Sequence, residues 1–168
     1  MVPFLARIFG LPVHPLVVHA AVVLVPLAAI AHAATGWRSS WRRAYAIPTA
    51  LVAAGGALFA LVAKTTGESL ERTIREAART AGARVRFGDH PEQGDAAFAW
   101  AFILAVAVAA FAALTLWERR QTLPRWLMFA AWAGVAVIGV AATATMVAAG
   151  HSGAALVWNE VGTFAGSR

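Results

Sequence analysis

Four runs of about 20 apolar residues, Val13 to Ala34, Ala44 to Val62, Ala96 to Trp117 and Trp126 to Ala149, leave this chain little choice of solvent. As a helix rising 1.5 Å per residue, each run spans the roughly 30 Å hydrocarbon core of a bilayer. Lipid offers backbone N–H and C=O groups no hydrogen-bond partner, so each run must satisfy its own as a helix. The composition agrees: 60% of the 168 residues are hydrophobic and 13% are charged, too little polar surface to cover a soluble domain. The expected fold is all-α, an integral-membrane four-helix bundle in the lipid bilayer, with residues 1–168 forming a single domain.

The absence of cysteine excludes disulfides, thiolate metal sites, iron–sulfur clusters and covalently attached c-type haem. The formal net charge of +6 could suggest nucleic acid, but its distribution points to membrane topology and not to a nucleic-acid partner. Arg38, Arg42, Arg43, Arg119, Arg120 and Arg125 crowd two short loops against Glu118 alone, a net of +5. The opposite face is nearly balanced at +1. Dense positive charge beside apolar spans marks the cytoplasmic side, so the short loops are expected inside a bacterial inner membrane with both termini outside. Residues Met1 to Leu11 read as an interfacial lead-in and not as a cleaved signal peptide.

The second connection, Thr65 to Asp95, carries Leu70, Ile74, Ala77, Ala78 and Ala81 at helical spacing. Glu68 with Arg72 and Glu71 with Arg75 are i,i+4 pairs in the favourable order, which predicts a short amphipathic helix. Within the spans, Gly55, Gly56, Gly134 and Gly139 permit close helix contact. Trp37, Trp41, Trp100, Trp117, Trp126 and Trp158 lie near span ends, where amphipathic rings anchor a protein in the interface.

Chemistry is concentrated in histidine. His14, His19, His90 and His151 all fall at span ends on the face that carries the termini. Each could be an ordinary interfacial hydrogen-bonding group, yet ionisable residues at such depth are costly and tend to be functional. His14 and His19 are five residues apart, about 140° around a helix, so they are expected to serve different partners. His19 and His151 should share a depth and form the leading candidate pair. Glu68, Asp89 and Asn159 are candidates to orient a ligand imidazole from behind, although a capping or salt-bridging role also suits Glu68. His32, alone near the other face, is expected to serve packing. No nucleophile motif, phosphate-binding glycine loop or His-Glu-x-x-His helix is present, so hydrolytic catalysis finds no support.

The segments Gly10-Leu-Pro-Val-His14-Pro-Leu-Val-Val-His19, Thr66-Gly67-Glu68 and Gly150-His151-Ser152-Gly153, with four spans and a histidine before the third, resemble the bacterial membrane proteins grouped as domain of unknown function 2231. Many relatives carry Phe-Pro after the second histidine, where this chain has Ala20-Ala21. The resemblance implies a place in electron transfer, because relatives occur fused to cytochrome-like modules.

Three functions follow. One is a b-type haem membrane protein for one-electron transfer, with His19 and His151 as axial ligands of the iron. His14 and His90 would then support that haem or hold a second, and a redox protein partner would dock on the outer face. Another is an outer-face Zn or Cu site built from the four histidines. The third is a non-catalytic accessory or scaffold subunit, with a homo-oligomer possible in each case.

Overall fold

A computed structural model describes residues 7–8 and 11–165, with side chains from Val13 to Trp158. A minimal antiparallel hairpin, β1 (Arg7–Ile8) against β2 (Leu11–Pro12), leads into four helices: α1 (Val13–Gly36), α2 (Ser39–Thr80), α3 (His90–Trp117) and α4 (Arg125–Ala165). Each helix contains a stretch long and apolar enough to cross a membrane. The helices close a ring in which α1 and α3 each pack on α2 and α4, so α1 and α3 are diagonal partners.

The bundle is packed with small residues and coated with large ones. Ala21, Ala28, Ala53, Ala60, Ala97, Ala101 and Ala142 line the core around Val25, Leu104, Val108 and Met146. Val23, Ile30, Leu51 and Val140 are exposed by 62–72%. Lipid tails are as apolar as leucine, so burying such chains gains nothing there and close backbone packing decides the interface. Two of the four span glycines serve that packing directly. A Cβ on Gly56 would stand 3.0 Å from Val25 Cγ2 and 3.2 Å from its nitrogen, and one on Gly139 would stand 2.9 Å from the Ala29 Cβ. Gly55 has only ordinary contact with Leu24, and Gly134 has nothing within 4 Å, so it does not make the helix contact expected of it. Trp37, Trp41, Trp117, Trp126 and Trp158 are exposed at the two ends, as interfacial anchors would be.

The amphipathic segment of the second connection is not a separate helix. It is the continuation of α2, whose 42 residues would run about 63 Å, roughly twice the hydrocarbon thickness. Gly67 is the one glycine between Val62 and Thr80, where no proline occurs, and one glycine costs only about 1 kcal/mol. Ion pairs bridge the junction: Lys64 Nζ reaches Glu68 at 2.7 Å, and Arg75 Nη2 reaches Glu71 at 2.6 Å. The expected Glu68–Arg72 pair gives way, with Arg72 Nε donating to the Glu68 backbone carbonyl at 3.2 Å. Gly82 then stops the helix. With φ +69 it lets Ala83 N–H reach Ala78 O at 2.8 Å and its own N–H reach Arg79 O at 3.1 Å, the crossed bonds of a Schellman end. Gly88, at φ +55, turns the chain into α3.

Candidate functional site: an imidazole pair across the bundle axis

Diagonal packing brings the starts of α1 and α3 to one end of the bundle, and with them His14 and His90. Their ring centres are 6.4 Å apart, with planes at 76°. Both rings are partly buried.

Each ring is tied at Nδ1. His14 Nδ1–H donates to Ala63 O on α2 at 2.8 Å, with the Thr66 hydroxyl 3.4 Å away. His90 Nδ1–H donates to Ser152 Oγ on α4 at 3.0 Å, while Ser152 itself donates to Ala149 O at 3.1 Å. Hydrogen bonding at Nδ1 fixes the tautomer and leaves the Nε2 lone pair as the basic, ligating position.

Each ring also rests on a glycine. A Cβ on Gly67 would come within 2.9 Å of His14 Cε1, and one on Gly153 within 2.8 Å of His90 Cε1. Two small polar pairs, Thr66-Gly67 and Ser152-Gly153, therefore form equivalent seats on opposite helices. One turn after His90, Gln93 Oε1 is buried and has no hydrogen-bond partner among the described residues. A half-turn of an amide exchanges oxygen and nitrogen, so this position can offer an acceptor or a donor. Beside His90 lies an open pocket of about 270 Å³, lined by Phe87, Gly88, Asp89, Ser152, Ala155 and Leu156. The Arg75 guanidinium lies 5.0 Å from the Phe87 ring centre.

The remaining candidates stand apart from this pair. His19 is exposed, and its Nδ1–H donates to Pro15 O at 2.5 Å, one turn back on its own helix. His151 is exposed on α4. The two have comparable depth, since Gly150 packs near Val22, but the rings that meet are His14 and His90. Glu68 pairs with Lys64, as does Asp95, so Glu68 acts as a salt-bridging carboxylate and touches no imidazole. Asp89 precedes α3 without a side-chain capping bond and borders the pocket. The Asn159 side chain lies outside the described residues. Among those residues no group of three histidine, aspartate or glutamate side chains gathers closely enough to hold a metal ion, so the four histidines do not form one cage.

Ala63, Thr66, Gly67, Gln93, Ser152 and Gly153 join the site only through the fold. Two sequence motifs hold the signal: Thr66-Gly67-Glu68, whose acid is the more conspicuous member, and Gly150-His151-Ser152-Gly153, whose histidine is. In both, the small residues engage a histidine from elsewhere in the chain.

Four apolar helices, lipid-suited outside and closed at one end by an imidazole pair, define a multi-pass integral-membrane protein. A family model described as predicted membrane protein, domain of unknown function 2231, matches residues 10–165, and the chain belongs to that family. No curated protein and no solved structure matches it.

Proposed function

We propose that this chain is a b-type haem membrane protein for one-electron transfer, with His14 and His90 as the axial ligands. The spacing of the two rings carries the reading. An imidazole nitrogen binds a transition-metal ion at about 2.0 Å and stands about 1.1 Å from its ring centre, so two imidazoles holding one ion from opposite sides would have centres about 6.2 Å apart. The observed separation is 6.4 Å. Haem iron takes one or two protein ligands, whereas zinc sites generally need three or four, which favours haem over the Zn alternative. The unpartnered Gln93 amide position is a further group for an occupant to satisfy.

The haem would supply a one-electron couple. The chain supplies orientation: Ala63 O and Ser152 Oγ hold the Nδ1 protons, leaving Nε2 of each ring free to bind, and Gly67 and Gly153 set how far each ring retreats. Accepting a hydrogen bond from Nδ1–H also makes Nε2 a stronger donor to iron. The exposed His19 and His151 are left to face the surface, where a redox protein partner on the outer side of the inner membrane would approach. A homo-oligomer is compatible with the lipid-facing exterior.

The test is a visible spectrum of protein expressed with haem supply, supported by a pyridine haemochrome assay. A Soret band is expected in the wild type and in His19→Ala and His151→Ala. It should be lost in His14→Ala and His90→Ala. Loss only in the His19 and His151 variants would return the axial role to that pair, and no haem in the wild type would end the proposal.

A further inference from the structure

At the opposite end of the bundle, three polar side chains are buried around a cavity of about 10 Å³: His32, Arg42 and Thr49, at 2%, 8% and 6% exposure. Such groups are rarely left without partners, because an unmade hydrogen bond in a low-dielectric interior costs the full desolvation of the group.

All three have unused capacity. His32 Nε2–H donates to Trp132 O at 3.2 Å, which makes Nδ1 the ring's acceptor, and that atom has no partner among the described residues. Thr49 is the second case. A helical threonine can donate to the carbonyl four residues back, as Thr35, Thr66, Thr115 and Thr145 do. No such bond is made by Thr49, although it is nearly fully buried and lines the cavity. Arg42 spends Nη2 and Nε on the two oxygens of Glu118, at 2.5 and 3.3 Å, which leaves Nη1.

We infer that this cavity is a binding site for one water molecule, shared by His32, Thr49 and Arg42. Its volume is at the lower end of what a water needs, and one acceptor, one hydroxyl and one donor meet the requirement for two to four polar partners. The water completes a chain that takes one member from every helix: Glu118 at the end of α3, Arg42 on α2, His32 on α1 and the Trp132 carbonyl on α4. The short-loop end is thereby clamped by hydrogen bonds where alanine packing alone would hold it. His32 becomes the centre of that clamp and more than a packing group.

The experiment is NMR of protein labelled with 15N-histidine in micelles, with His32 assigned by its loss in His32→Asn. A water cross-peak to the His32 ring is expected in the wild type, retained in Thr49→Ser and abolished or reduced several-fold in Thr49→Val, which keeps the side-chain shape. Absence of the cross-peak in the wild type, or an unchanged cross-peak in Thr49→Val, overturns the inference. Haem binding at the other end does not enter the readout.

Discussion

Gly67 and Gly153 set two physical effects against each other at single positions. Alanine is the better helix former by about 1 kcal/mol, so replacing a helical glycine should stabilise the protein where space allows. At these two positions the added methyl would come within 3 Å of an imidazole, and overpacking of that kind costs about 1–3 kcal/mol. Gly67→Ala and Gly153→Ala are therefore expected to lower thermal stability in detergent. Gly134→Ala, with nothing within 4 Å of the new methyl, should leave stability unchanged or raise it by up to about 1 kcal/mol. If all three variants shifted stability in the same direction, the glycines would not be ring seats. The histidines were legible in the sequence because few residue types carry chemistry in so apolar a chain. Their seats were not, because a glycine beside a ring 53 or 63 positions away leaves no local mark. His14 and His19 diverge, one half-buried and one exposed, as five residues of helix require.

At the scale of the element, apolar length and helix length differ. Hydropathy located all four spans because the bilayer core demands a continuous apolar run. It did not extend α2 to Thr80, since beyond Val62 the helix is held by ion pairs and helical spacing instead of by lipid. The ends of the elements are joined by another interaction that hydropathy does not register, the Arg42–Glu118 pair between α2 and α3, with side chains only 9% and 14% exposed. Arg43 Nε, 4.0 Å from Glu118 Oε2, adds a weaker contact. Arg42→Gln and Glu118→Gln each strand a charge with little solvent, and removing one partner of such a pair costs about 3 kcal/mol. The double variant Arg42→Met with Glu118→Leu should recover most of that loss, because an apolar pair of similar volume avoids the desolvation that the ions carry. Thermal unfolding of the three variants in one detergent decides the matter. A double variant as unstable as the worse single one would mean that the pair contributes attraction beyond its own desolvation.

Over the whole molecule, the arrangement that matters is the one linear patterning leaves open: which helix stands diagonal to which. Four spans in series fix which ends share a face, and that alone gathered four histidines at one end. The ring order, with α1 opposite α3, then selects His14 and His90 from the four and carries Ser152 of α4 and Ala63 of α2 to their outer nitrogens. The same alternation assigns the two ends of the bundle to opposite sides of the bilayer, so sidedness is open to direct measurement. The chain has no cysteine, so single replacements report without background. Arg120 lies in the short connection after α3, and Arg79 lies near the C-terminal end of α2; both positions are exposed. In intact cells, a membrane-impermeant maleimide added outside should label Arg79→Cys and spare Arg120→Cys until the membrane is opened. The reverse pattern would invert the molecule and bring the imidazole pair to the cytoplasmic face. Labelling of both from outside would contradict the four-span topology itself, since residues 79 and 120 are separated by the single crossing of α3.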